Sequence, residues 1–100
     1  MPWEVLMTIT VMIKRKVALE NEVPMEALYS EMRNVALTQQ GYISAEILKR
    51  LDMDGEFLIV SKWDHIDNWS KWLVSKERRV FQERIDNITD SETKFEIYSH

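Results

Sequence analysis

The stretch YISAEILKRLDMDGEFLIVSKW, from Tyr42 to Trp63, decides the fold. Its first half, Tyr42 to Leu51, alternates with period two, setting Ile43, Ala45 and Ile47 against Tyr42, Ser44 and Glu46, which predicts a strand. Asp52-Met53-Asp54-Gly55 follows, and Asp-Gly supplies the positive backbone angle of a tight reversal. Glu56 to Trp63 then reads as a second strand. Its centre, Phe57-Leu58-Ile59-Val60, is apolar on both faces, so protein is expected on either side.

On the N-terminal side, Asn21 to Gln40 reads as a helix. Pro24 suits its first turn, where no amide partner is needed. Met25, Leu28, Met32 and Val35 form one apolar side, and Gly41 is expected to close the helix with a left-handed cap. Before it, Glu4 to Lys16 alternates as a long strand, in which Val5, Met7, Ile9, Val11 and Ile13 face away from Leu6, Thr8, Thr10, Met12 and Lys14. After the hairpin, Asp64 is the expected N-cap of a helix, with Asp67 completing an imperfect capping box and Ile66, Trp69 and Leu73 as its inner stripe. Ser75 restarts a second helical segment with Phe81, Ile85 and Ile88 on one side. Thr89-Asp90-Ser91 breaks it, and Thr93 to Tyr98 alternates as a last strand.

The order strand, helix, strand, strand, helix, strand, with right-handed crossovers, predicts an α+β, ferredoxin-like βαββαβ domain. In it a four-stranded antiparallel sheet carries both helices on one face. Residues 1–100 are expected to form a single domain. The other sheet face would carry Leu6, Met12, Leu58 and Val60, more contiguous apolar surface than a soluble monomer usually exposes. The expected partner is a second copy, packed sheet to sheet as a homodimer.

Composition narrows the function classes. Thirteen basic and seventeen acidic residues give a net charge of −4. That balance disfavours nucleic acid and anionic membranes, which call for a basic face. The chain has no cysteine, so disulfides and thiolate metal sites are excluded and a reducing compartment fits. No secretory leader and no membrane-spanning apolar run is read, so a cytoplasmic location is expected. The lack of cysteine pairs excludes metal chaperones of this topology. Lys14 to Asn21 lacks the glycines of an acylphosphatase anion loop, and the middle strands lack the motifs of RNA-recognition modules. Four tryptophans are present, and Trp63, Trp69 and Trp72 fall within ten residues of one another.

Three segments carry a resemblance: Gly41-Tyr42-Ile43-Ser44, then Phe57-Leu58-Ile59-Val60-Ser61-Lys62-Trp63, then Trp69-x-x-Trp72-Leu73-x-Ser75. From about Val5 to Tyr98 the chain resembles the antibiotic biosynthesis monooxygenase domain family. The resemblance implies a dimeric α/β barrel. It points to cofactor-free oxygenases of polyketide anthrones, quinol oxidases, haem-degrading enzymes and members without assigned activity. Trp72 stands where the haem-degrading branch keeps its helical tryptophan. The axial histidine of that branch has no counterpart in Gln82 to Ile85, and Thr8 or Thr10 stands near its strand-one asparagine. Haem ligation is therefore not expected. The quinol-oxidising branch tends to have a histidine where this chain has Trp72.

The expected chemistry is cofactor-independent monooxygenation of a small aromatic or quinone-like compound, with no cofactor and no metal. A deprotonated electron-rich ring can itself reduce oxygen if the protein excludes water, orients the ring and stabilises the anion. Trp63, Trp69 and Tyr42 are candidate substrate-binding rings; Asn34 and Asn68 are candidate hydrogen-bonding partners for a substrate oxygen. Trp72, offset from the Ile66-Trp69-Leu73 stripe, and His65, an imidazole beside Asp64 in the turn that starts the helix, are the candidate catalytic residues. The competing expectation is that the indoles only fill the core. The chain would then be a non-catalytic dimeric small-ligand-binding or stress-associated domain. Arg78 and Arg79 could steady an anion, but the run Lys76-Glu77-Arg78-Arg79 reads as a solvated helix face, and Lys14-Arg15-Lys16 as a charged strand end.

Overall fold

In a computed structural model that describes residues 8–89 and 93–100, eight elements follow in order. They are β1 (Ile9–Lys16), a 3-10 turn (Leu19–Asn21), α1 (Glu22–Ala36), β2 (Tyr42–Lys49), β3 (Glu56–Trp63), α2 (Ile66–Leu73), α3 (Lys76–Ile88) and β4 (Phe95–Ser99). The strands form one antiparallel sheet in the order β2-β3-β1-β4. This is the expected ferredoxin-like arrangement. β1 and β3, apolar on both faces in sequence, occupy the centre of the sheet.

The inner face of the sheet packs on the helices in two adjoining clusters. Ile13, Val17, Phe57 and Ile59 meet Met25, Leu28 and Tyr29 of α1 and Phe81 and Ile85 of α3. Beside them, Ile9, Val11, Ala36 and Trp63 meet Trp69 and Trp72 of α2. Full burial stabilises each large apolar side chain by roughly 1.5–3 kcal/mol, so these two clusters hold the helices on one face. On the opposite face Met12, Leu58 and Val60 are half-buried, as the alternation predicts, and Lys14, Lys62, Glu46 and Glu96 surround them. Leu6, expected on the same face, lies outside the described residues, as does the proposed beginning of β1.

Several local expectations need correction. α1 ends at Ala36 rather than Gln40, because Thr38 turns back, its amide and its hydroxyl both donating to the Val35 carbonyl. Gly41, at φ +85°, therefore works as the entry to β2 and not as the helix cap. The N-cap of α2 is His65, whose Nδ1 accepts from the Asp67 amide, rather than Asp64. Asp64 instead donates its amide to the Gly41 carbonyl at 2.8 Å and accepts from the Asn68 side chain at 2.7 Å. Ser75 caps α3 as expected, accepting from the Arg78 amide.

The correction with most consequence is a bulge at the start of β2. Tyr42 pairs with Trp63, but the next pair is Ser44 with Lys62, so Ile43 is the extra residue. The bulge reverses the phase read from sequence. Tyr42 joins Ala45 and Ile47 on the inner side, while Ile43 is turned out and half exposed.

Candidate functional site

Between α1, the β2–β3 half of the sheet and α2 lies a cavity of about 400 Å³. That is near the lower end of the roughly 300–1,000 Å³ typical of small-molecule pockets. Its mouth is set by exposed residues of α1 and β2: Glu26, Ser30 and Arg33 on one lip, Lys49 on the other. At the rim Lys49 donates to Glu22 Oε2 at 2.9 Å, while Glu22 Oε1 is buried with no hydrogen-bond partner.

Aromatic rings wall the interior. Tyr42 meets Trp63 edge to face, with centroids 5.6 Å apart and planes at 88°. Trp63 stacks on Trp72 at 6.3 Å and 27°, and its indole N–H donates to Ser61 Oγ at 3.3 Å. Trp69 packs edge to face on Phe95 at 5.5 Å. The α2 indoles reach this wall because Trp69 and Trp72, three positions apart, share one side of the helix. Ile66, expected in the inner stripe, is 40% exposed, and Leu73 is only partly buried, so the buried side of α2 is centred one position away from the sequence reading. The Tyr42 hydroxyl is buried in this wall with no hydrogen-bond partner, an arrangement that costs on the order of 1–3 kcal/mol unless something pairs with it.

The inner end is cationic. Arg78 is 8% exposed and lines the cavity. Its Nη1 donates to the Leu73 carbonyl at 3.3 Å, its Nη2 to Gln82 Oε1 at 3.0 Å, and its guanidinium lies over the Phe95 ring, 5.4 Å from the centroid. Gln82 donates onward to Asp86 Oδ1 and to Thr93 Oγ1. Thr93 also accepts from Arg15, whose Nε donates to the Tyr29 hydroxyl at 2.9 Å. Burial pulls the Arg78 guanidinium below its usual range, against the pull of Tyr29 and with a contribution from the like charge of Arg15. Burial also pushes the Tyr29 phenol up, partly offset by Arg15 beside it.

Of the residues singled out in sequence, Tyr42, Trp63, Trp69 and Trp72 line this one cavity. His65, Asn34 and Asn68 do not line it. His65 caps α2, Asn34 is exposed on α1, and Asn68 is tied to Asp64. Arg78, Tyr29 and Phe95 line it and were not singled out as site residues. Arg78 was read as solvated, yet it lies three and seven residues before the buried Phe81 and Ile85, a helical spacing that places it on their side. Arg15, read as a charged strand end, continues the inward phase of Ile9, Val11 and Ile13 and is 2% exposed. Among the described residues no cluster of three or more His, Asp or Glu side chains is placed to hold a metal, and no helix is long and apolar enough to cross a membrane.

The family profile described as antibiotic biosynthesis monooxygenase matches residues 8–84. A conserved protein from Methanosarcina mazei Go1 superposes with a TM-score of 0.87 at 17% identity, over 98% of this chain and 97% of that one. A variant of SnoaB, a cofactor-independent oxygenase from Streptomyces nogalater, gives 0.84 at 13% identity, over 94% and 93%. A Bacteroides thetaiotaomicron protein of unknown function gives 0.84 at 15%, over 95% and 99%. At such identities the likeness concerns the fold. A search of curated proteins finds no match.

Proposed function

Since the chain belongs to the antibiotic biosynthesis monooxygenase family, we propose that it oxygenates a small aromatic or quinone-like compound in the cavity beneath α1 and α2, without a metal or flavin. The observation that carries this reading is the aromatic wall of Tyr42, Trp63, Trp69 and Trp72 around a space of about 400 Å³. Flat apolar walls orient a flat ring against them.

The chemistry is that of the substrate. A phenolic or enolic ring loses a proton, and Glu26 on the α1 lip of the cavity is the carboxylate placed to accept it. The carbanion so formed passes one electron to dioxygen, and the radical pair combines to a peroxide at the ring carbon. Loss of water leaves a carbonyl. One CH2 group and one O2 become one C=O group and one H2O, so electrons balance with no further reductant. The Arg78 guanidinium at the inner end of the cavity favours the anion.

We extend the proposal to a homodimer formed through the outer sheet face, where Met12, Leu58 and Val60 are half-buried. A rival reading, a ligand binder without turnover, is favoured by one observation: no histidine lines the cavity, and His65 caps α2 instead. Oxygen-electrode assays with a panel of anthrones and hydroquinones separate the two. Uptake without added metal or flavin that falls at least tenfold in Trp72→Phe or Tyr42→Phe supports the enzyme. Rates equal to the protein-free background for every compound favour the binder.

A further inference from the structure

We infer that the cavity is built for a ligand that arrives already charged, an aromatic carboxylate whose carboxyl group pairs with Arg78; this rests on the reading above only for the location of the site. Arg78 carries a full positive charge into the interior, where a cation is retained when an anion meets it. Its two acceptors, the Leu73 carbonyl and the Gln82 side-chain oxygen, are both neutral. Among the described residues no carboxylate forms an ion pair with it. Asp86 stands one residue removed, on the far side of the Gln82 amide.

The bonds made by Arg78 use two of the donors on its guanidinium, which has five in a planar fork. The Phe95 ring lies beneath the guanidinium carbon, 5.4 Å from it, and the two hydrogen bonds hold the fork in place. A planar fork with donors to spare suits the two oxygens of a carboxylate. A phenol fits the position less well, because with a pKa of about 10 it stays neutral at pH 7 while an aromatic acid is ionised. The ring of such a ligand would lie along the indoles while its carboxylate supplies the anion missing from Arg78.

Calorimetric titration with 2-naphthoate and with 2-naphthamide, which keeps the ring and loses the charge, tests this directly. Neither compound offers an oxidisable CH2 or hydroxyl group, so binding is read without turnover. The wild-type protein is expected to bind naphthoate at least tenfold more tightly than naphthamide, and added salt should narrow the gap. In Arg78→Gln the two affinities should converge to within about twofold, with naphthamide binding retained, and Arg78→Lys should restore part of the preference. Equal affinities in the wild type, no binding of either compound, or a preference that survives in Arg78→Gln would overturn the inference. The wild-type comparison decides the matter even if the variants fail to fold. A strong naphthoate preference with no oxygen uptake from any anthrone or hydroquinone would instead remove the oxygenase reading and leave this one standing.

Discussion

Tyr42 stands edge-on to Trp63, with ring centroids 5.6 Å apart and planes at 88°, and its buried hydroxyl has no hydrogen-bond partner. Two consequences follow from that pair. Tyr42→Phe keeps the edge-to-face contact, so stability should be unchanged or raised by about 1 kcal/mol as an unpaired hydroxyl is removed. Affinity for oxygenated aromatics should fall in the same variant. Thermal melting and ligand titration of one preparation check both halves.

Trp72 supports Trp63 from the other side. Trp72→Ala should cost about 3–5 kcal/mol, the usual range for truncating a buried tryptophan, and should weaken aromatic ligands as the wall collapses. A loss below 1 kcal/mol in urea unfolding would show that the stack carries little of the packing.

His65 offers a contrast. Its ring closes the first turn of α2 by accepting from the Asp67 amide at 3.0 Å. His65→Ala should lose about 0.5–2 kcal/mol, as for other helix caps, with ligand affinity and any oxygen uptake unchanged. A large fall in uptake at unchanged stability would return His65 to the catalytic candidates.

Gly41 sits where a side chain has no room. Its φ is +85°, and an added Cβ would come within 2.3 Å of Asp64 Oδ1 and 2.5 Å of Asn68 Nδ2. Gly41→Ala should therefore lose more than the roughly 1–2 kcal/mol of the left-handed backbone alone, read as a lower denaturation midpoint.

Tyr29 gives the alkaline behaviour a sign. Its phenol is pushed up by burial, so the folded chain holds that proton to higher pH than the unfolded one. The associated stability is complete below the ordinary tyrosine value of about 10 and is lost as pH rises through the folded value. Absorbance titration at alkaline pH should show a late phenolate phase that disappears in Tyr29→Phe.

If the outer sheet face joins two copies, Val60→Lys should halve the mass seen by light scattering while leaving the helical circular dichroism intact. A wild-type chain that is monomeric at micromolar concentration would refute the dimer.

Alternation in β1 and β3, the Asp-Gly reversal and the helical spacing of Met25, Leu28, Phe81 and Ile85 determined the element order and the sheet, because those signals depend only on near neighbours in the chain. The clustered tryptophans of the site were legible for the same reason. Tertiary structure alone decided that Tyr42 turns inward, since a single extra residue, Ile43, reverses the phase that strict alternation assigns. Spacing alone set Arg15 and Arg78 on the inward side, but only the tertiary structure decided what receives their charges there. A charged side chain is read as solvated unless its partners are known, and theirs, Tyr29, Thr93, Gln82 and Phe95, come from other elements or from residues whose relation to them is set only when the helices pack on the sheet.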